Sequence, residues 1–197
     1  LRFLKRYDEL IAKYNSICAQ NKTPLIIDCG ANIGLSAFYF ATTFSKSTVI
    51  SLEPERNNFL LMETNCSNLS NVELLNKAVG SIDGTVSIKN LDSDNNAFRT
   101  TRNENGKGDI EVVSINNILS SHSDLVPFIV KIDIEGFEED LFSKNTEWVQ
   151  SFPLLIIETH DWMLPNQANS SNFLKVISEH RRDFIHRGEN VFSISNN

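Results

Sequence analysis

Short apolar runs alternate with segments of helical period along most of the chain, and this alternation constrains the fold more than any other feature. By their length and their Ile, Val and Leu content, five runs predict strands: 25–29, 48–53, 72–79, 127–133 and 152–158. Apolar residues at helical spacing predict helices at 3–18, 35–44, 54–68, 138–145 and 169–182, the last capped by Ser170 or Ser171. This order implies a doubly wound, largely parallel α/β sheet, to which a closing hairpin at 183–194 adds an antiparallel strand.

The bulk composition excludes several classes of protein. With 197 residues, 41% of them hydrophobic, the chain has the size and composition of one globular domain, and no apolar run approaches a membrane span. A net charge of -7 disfavours nucleic acid as a partner, because affinity for phosphate rests on clustered Lys and Arg. Three cysteines without CxxC spacing and the lack of a signal-peptide pattern favour reduced thiols and a cytoplasmic location. The chain does not start with Met, so it is also compatible with a fragment of a longer protein.

The middle of the sequence, residues 80–110, differs from the rest. Its first part predicts a hairpin around Asp83 and Gly84, and its second part is polar and rich in Asn. A long polar segment inside a compact domain is typical of a lid or of a disordered loop. Phe98 and Arg99 lie in this segment, and we expect Arg99 to contact the substrate if the segment closes over it.

The stretch LIIDCGANIG, residues 25–34, predicts a buried strand that ends in a ligand-holding turn. Glycines cluster where the backbone turns sharply or approaches a ligand, and Gly30 and Gly34 follow Asp28 closely. The middle glycine of a dinucleotide GxGxxG motif is missing, and Asp28 would repel a pyrophosphate. A ligand with an ammonium group suits Asp28 better, while Glu53 at the next strand end can accept hydrogen bonds from both ribose hydroxyls.

Polar side chains end most of the predicted strands. Because ligands bind at the carboxyl ends of strands in such sheets, these side chains are expected to converge at one edge. They are Asp28, Glu53, Asn76, Asp133 with Glu135, and Glu158 with His160.

Five motifs resemble, in order and spacing, those of FkbM-type S-adenosylmethionine-dependent methyltransferases: DCGANIG, EPERNNFLLMETN, NKAVG, KIDIEGFEEDL and IIETH. The resemblance covers about residues 25–194, and KIDIEGFE is its most specific element. It implies one methyltransferase domain over residues 1–197, whose first element is an N-terminal helix at 1–20. The implied fold is Rossmann-like, of class I, with a seven-stranded, mostly parallel sheet, an antiparallel C-terminal strand and helices on both faces. The implied activity is methyl transfer onto an oxygen of a small molecule or sugar.

The resemblance also implies roles for individual residues. They are Asp28, Gly30, Asn32 and Gly34 around the methionine part of the cofactor, Glu53 at the ribose, Ala78 and Val79 near the adenine, and Asp133 facing the methionine amino group and the acceptor. Two positions depart from the family pattern. Asn116 stands where members usually carry Asp, which puts a role for an acid there in doubt, and Phe137 replaces a smaller residue, which affects packing.

A hydroxyl acceptor needs a general base within hydrogen-bond reach, because it is a poor nucleophile until it loses its proton. His160 is the best candidate, since an unperturbed histidine has a pKa of about 6.5. Asp133 and Glu158 are further catalytic candidates, and Glu135 is expected to contact the substrate. These four side chains would also suit Mg²⁺ or a transition-metal ion, but sequence spacing fixes no coordination geometry, so a metal is not favoured.

Three other functions stay open at this point. A nicotinamide-dependent oxidoreductase would use a similar sheet, although the missing middle glycine and Asp28 argue against it. A binding module could retain the cofactor without catalysis. Methylation of RNA would need a local basic patch, for which Arg99, Arg102 and Lys107 are available. The preferred partner is a small-molecule or carbohydrate acceptor, and the sequence does not identify it.

Overall fold

The computed structural model describes residues 2–90, 98–101 and 109–196. The helices are α1 (Arg2–Ala19), α2 (Leu35–Thr43), α3 (Arg56–Cys66), α4 (Ile115–Ser121), α5 (Glu138–Leu141) and α6 (Ser171–Ser178), with a 3₁₀ helix at Glu147–Ser151. The strands are β1 (Thr23–Cys29), β2 (Thr48–Leu52), β3 (Val72–Leu75), β4 (Ala78–Gly80), β5 (Gly84–Asn90), β6 (Phe98–Thr101), β7 (Ile110–Ser114), β8 (Leu125–Ile132), β9 (Leu154–Glu158), β10 (Arg182–Arg187) and β11 (Asn190–Ser195).

A seven-stranded sheet in the order β10-β11-β9-β8-β1-β2-β3 forms the centre of the fold. Strand β1 pairs in parallel with β2 and β8, and the pairs β2–β3 and β8–β9 are also parallel. Strand β11 runs antiparallel to both of its neighbours, β9 and β10. The predicted seven-stranded, mostly parallel α/β sheet with an antiparallel C-terminal strand is confirmed. Since β1 lies between β8 and β2 and runs parallel to both, the carboxyl ends of these three strands meet at one edge.

Helices cover both faces of this sheet, because its central strands are apolar on both sides. On one face, α1 and α2 pack on β1 and β2 through a cluster that includes Ile17, Phe40, Ile26 and Val49. On the other face, the cluster includes residues of α4, α5, α6 and the 3₁₀ helix packed against β1, β8 and β9. None of the described helices has both the length and the apolar character that crossing a bilayer requires.

The middle of the chain forms a second, four-stranded sheet in the order β4-β7-β5-β6. Two predictions were wrong here. The run 72–79 does not form one strand, because the chain bends after Leu75 and Asn76 donates hydrogen bonds to the carbonyls of Glu53 (2.8 Å) and Pro54 (3.1 Å). The segment around Asp83 and Gly84 is not a hairpin, because β7 lies between β4 and β5.

Part of the segment predicted to be a lid, residues 80–110, forms strands of this second sheet. Strand β5 pairs with β6 in antiparallel fashion, so residues 84–90 and 98–101 form two neighbouring strands. Residues 91–97 and 102–108, and with them Arg102 and Lys107, lie outside the described residues, as does the side chain of Arg99. A lid function and a contact of Arg99 with substrate therefore stay predictions.

Arg182, at the start of β10, is an arginine buried among apolar groups. Its guanidinium donates hydrogen bonds of 2.8 to 3.4 Å to the carbonyl oxygens of Val149, Phe152, Pro153 and Ser193 and to the Ser193 hydroxyl. Burial lowers the pKa of Arg182 to about 10, so it stays charged near neutral pH. It thereby joins the C-terminal hairpin to the 3₁₀ helix and the turn before β9.

We expect Arg182→Ala to lower the free energy of unfolding by more than about 3 kcal/mol, because several buried carbonyls would lose their donors. The neighbouring Arg181, which is exposed, provides the control, and Arg181→Ala should change stability by no more than about 0.5 kcal/mol. Urea denaturation followed by circular dichroism measures both. Equal midpoints for the two variants would contradict a structural role for Arg182.

Candidate functional site

The turn between β1 and α2 brings the chain across the carboxyl ends of β2 and β8. The backbone N–H groups of Gly30 and Ala31 both donate to the carbonyl of Leu52, at 3.0 and 2.9 Å. Gly30 has φ +76°, and a Cβ there would lie 1.7 Å from the carbonyl oxygen of Asp133. Only glycine fits this position, because a side chain would overlap the backbone of the adjacent strand end.

Glu53, directly after β2, organises the same turn. One carboxylate oxygen accepts the backbone N–H of Asn32 at 2.8 Å, and the other accepts that of Glu55 at 2.9 Å. Burial raises the pKa of Glu53, and these N–H donors act against the rise. Each oxygen of a carboxylate has two lone pairs, so each retains one acceptor site after these bonds. Two acceptor sites on adjacent oxygens suit the two hydroxyls of a ribose.

A pocket opens beside Glu53. Its walls combine polar groups with apolar side chains, as the surroundings of a nucleoside require. The lining residues are Gly30, Asn32, Glu53, Pro54, Asn58, Lys77, Ala78, Val79, Asp133, Ile134, Glu135 and Phe137. The predicted ribose residue and the predicted adenine residues thus face one space. The acceptor sites of Glu53 and the apolar surfaces of Ala78, Val79 and Phe137 fit an adenosyl group.

Asp28 lies behind this pocket rather than in its lining. Its side chain is fully buried, accepts a hydrogen bond from the Ser36 hydroxyl (2.7 Å) and lies 3.5 Å from the ammonium group of Lys131. Burial raises the pKa of Asp28, while Lys131 and Ser36 lower it. Gly34 is also outside the lining. It is the N-cap residue of α2, with φ +90°, and a Cβ there would lie 2.9 Å from the side chain of Met62. Both residues therefore support the turn between β1 and α2 without lining the pocket.

Lys131 is a functional residue that the sequence reasoning missed. Its ammonium group lies 3.2 Å from Oδ2 of Asp133 and donates to the carbonyl oxygen of Gly30 at 3.3 Å, besides its ion pair with Asp28. Burial lowers the pKa of Lys131, but the two carboxylates more than compensate, so it is raised. The signal in the sequence is a lysine inside the otherwise apolar strand FIVKI.

His160 is buried at the far side of Asp133. Its Nδ1 lies 2.8 Å from a carboxylate oxygen of Glu138, which is itself fully buried and also accepts hydrogen bonds from the Asn169 side chain and the Gly136 backbone. Burial lowers the pKa of His160, but the hydrogen bond that its ring donates to Glu138 and the surrounding carboxylates outweigh this effect and raise it. Glu138 therefore fixes the imidazole ring, a role that the sequence analysis did not assign.

The other ring nitrogen of His160 faces three carboxylates. Nε2 lies 3.6 Å from Asp133, 3.7 Å from Glu135 and 3.7 Å from Glu158. Burial raises the pKa of both Glu135 and Glu158. We call these four residues the acid–histidine cluster. The structure brings together all the predicted catalytic side chains, His160, Asp133 and Glu158, and one ligand atom from each lies within 4.8 Å of the others, close enough to hold a metal ion.

Asp133 belongs to both parts of the site, since it lines the pocket and contributes to the acid–histidine cluster. Asn116, where the family pattern has an acid, bonds the carbonyl of Asn145 and the side chain of Glu147, neither of which lines the pocket. Phe137 is buried and forms part of the pocket wall.

Comparison with known proteins agrees with this geometry. The family model described as the methyltransferase FkbM domain matches residues 28–187. A hexuronic acid methyltransferase, AglP of Haloferax volcanii, is 26% identical over 153 residues, which make up 77% of this chain and 60% of that protein. The chain thus spans less than two thirds of this relative.

Solved structures confirm the fold. A Klebsiella pneumoniae protein assigned as an O-methyltransferase aligns with a TM-score of 0.54 and 12% identity, over 96% of this chain and 80% of that one. The bifunctional kinase-methyltransferase WbdD aligns with a TM-score of 0.53 and 10% identity, over 95% of this chain and 38% of that one. At these identities the similarity extends to the Rossmann-like class I fold alone.

We expect Gly30→Ala to cost at least about 3 kcal/mol of unfolding free energy, because its Cβ would overlap the Asp133 carbonyl. Gly188 provides a matched control, since it also has a positive φ (+59°) but nothing lies within 4 Å of an added Cβ. Gly188→Ala should therefore lower the free energy of unfolding by only about 1–2 kcal/mol, the cost of a left-handed backbone conformation for a residue with a Cβ. Urea denaturation compares the two, and equal losses would refute the close approach at Gly30.

Proposed function

The chain belongs to the FkbM methyltransferase family, and from this premise we propose that it transfers a methyl group from S-adenosylmethionine to a hydroxyl oxygen of a carbohydrate or similar small molecule. In this proposal residues 1–197 act as one catalytic domain. The observation that carries it is the position of Asp133, which both lines the pocket beside Glu53 and lies 3.6 Å from the buried His160.

The pocket supports the choice of methyl donor. Glu53 would accept the ribose hydroxyls with its two remaining acceptor sites, and Ala78 with Val79 would contact the adenine. Asp133 and the backbone of Gly30 and Asn32 would hold the methionine part. Asp28 would act on that part through the turn and Lys131 rather than by direct contact.

The acid–histidine cluster supports an oxygen acceptor. The sulfonium supplies a methyl group that is already activated, so the protein must orient the acceptor and remove its proton. Glu138 holds His160 so that Nε2 faces the cluster, where it can take up the hydroxyl proton as the oxygen attacks the methyl carbon. Glu135 and Glu158 would accept hydrogen bonds from neighbouring hydroxyls of the acceptor.

A carbohydrate acceptor is suggested by two features. Several carboxylates at one site can bind the hydroxyl groups of a polyol, because each carboxylate accepts more than one hydrogen bond. The relative AglP acts on a hexuronic acid, as its name states. We therefore expect sugars and sugar acids to be the productive acceptors in a screen with isotopically labelled methyl donor.

Ligand binding tests the cofactor assignment. At about 100 times its dissociation constant, S-adenosylmethionine or S-adenosylhomocysteine should raise the melting midpoint by about 5–10 °C, whereas NAD should not. Glu53→Ala should weaken binding about tenfold or more by removing the ribose acceptor. Exposed Glu63, on α3, is the control, and Glu63→Ala should bind as the wild type does. Stabilisation by NAD alone would refute the proposal.

Turnover tests the role of the cluster. His160→Gln should reduce methyl transfer by at least about 100-fold, because the acceptor proton would lose its receiving group. Affinity for S-adenosylhomocysteine, measured by calorimetry, should stay within about twofold, since His160 does not line the pocket. His180→Gln, in a residue outside the cluster, serves as the control. Full turnover in His160→Gln would remove His160 from the mechanism.

A further inference from the structure

The acid–histidine cluster has a surplus of negative charge at close range. Asp133, Glu135 and Glu158 all place an oxygen within 3.7 Å of one ring nitrogen. The partly buried cation nearby, Lys131, contacts the other oxygen of Asp133, Oδ2, and leaves Oδ1 directed to the cluster. Such an arrangement favours a positively charged occupant.

We propose that the cluster binds one divalent cation of the Mn²⁺ type, with Oδ1 of Asp133, a carboxylate oxygen of Glu158 and Nε2 of His160 as its protein ligands. Carboxylates suit Mg²⁺ and Mn²⁺, and imidazole suits transition metals, so the mixed set favours Mn²⁺ over Mg²⁺. The remaining positions would be filled by water or by the acceptor.

An independent observation, the state of His160, points to the same ligand. Its side chain is 2% exposed, yet within the described part of the chain Nε2 makes no hydrogen bond, its neighbours lying at 3.6 to 3.7 Å. Glu138 accepts from Nδ1, which directs the lone pair of the neutral ring at Nε2 into the cluster. A carboxylate behind the ring is the usual support of a metal-bound histidine.

The distances fit a small ion. Ligand bonds of about 2.1 Å separate neighbouring donor atoms by roughly 3.0 to 3.6 Å, depending on the angle between them. The two contacts of Nε2 with Asp133 and Glu158 are 3.6 and 3.7 Å, and all three donor atoms lie within 4.8 Å of one another. Small movements of the half-buried carboxylate groups would therefore complete the coordination.

The role of the ion rests on the proposed function, although its binding does not. A hydroxyl oxygen bound as a further ligand would have a lowered pKa and would be held beside the cofactor pocket through Asp133. In the loaded protein Nε2 of His160 would be a ligand, and Glu135, the cluster carboxylate that the ion does not use, would take up the hydroxyl proton. His160 then serves as the base only in the metal-free protein.

Mn²⁺ titration followed by electron paramagnetic resonance tests the site directly. The wild-type chain, stripped with chelator, should bind one Mn²⁺, and both Glu158→Gln and His160→Gln should weaken binding at least about tenfold. Glu139 is the control for Glu158→Gln, because it is a glutamate that is exposed and lies outside the cluster. Glu139→Gln should bind Mn²⁺ as the wild type does. Circular dichroism establishes that each variant is folded.

Two results would overturn the cation site: no Mn²⁺ binding by the wild type at millimolar concentration, or binding that Glu158→Gln and His160→Gln leave unchanged. Stabilisation by S-adenosylhomocysteine in chelator-treated protein tests the methyl-donor assignment separately. If Mn²⁺ binding fails while that stabilisation persists, the proposed function stands without a metal. If Mn²⁺ binds but no methyl donor does, the proposed function is wrong and the cation site stands.

Discussion

The ion pairs of the partly buried Lys131 ammonium group are the interactions on which this edge of the sheet depends. It lies in register with Asp28 on the adjacent strand and contacts Asp28, Asp133 and the carbonyl of Gly30. Without this positive charge, two carboxylates would lie close together with little water to separate their charges. Because Lys131 binds both strand ends, the turn that passes over them has a fixed base. Glu53 and the backbone of Asn32 can then form the pocket above it.

The two halves of the site are coupled through a single carboxylate. Oδ2 of Asp133 faces Lys131, which also contacts the carbonyl of Gly30 in the turn after β1, whereas Oδ1 faces His160. A change in the orientation of the Asp133 carboxylate at Lys131 would therefore also change its contact with His160. The imidazole in turn depends on Glu138, which three hydrogen-bond donors hold in the interior. The chemistry of the site thus rests on buried groups that a ligand would not touch.

Much of the fold could be predicted from the sequence because the central strands are buried on both faces and are read as apolar runs. The pocket residues Glu53, Ala78 and Val79 could be placed from motif spacing. The second sheet could not, because β5 pairs with β7 across nineteen residues of mostly polar sequence, and no local pattern specifies that partner. Lys131 and Glu138 were missed for a related reason. A buried charge is stable only with partners, and those partners lie on other strands and loops.

Residues 134–138 have a consequence for how such a protein can diversify. Ile134, Glu135 and Phe137 face the pocket, and Glu138, the next residue, secures His160 on the opposite side. One short turn therefore contributes both to the wall of the pocket and to the support of His160. Selection for a new acceptor would have little freedom to alter it. Sequence differences among relatives should instead accumulate in surface segments such as 161–168. Trp162 in this segment is 70% exposed, so it can be replaced without disturbing Glu138 and His160.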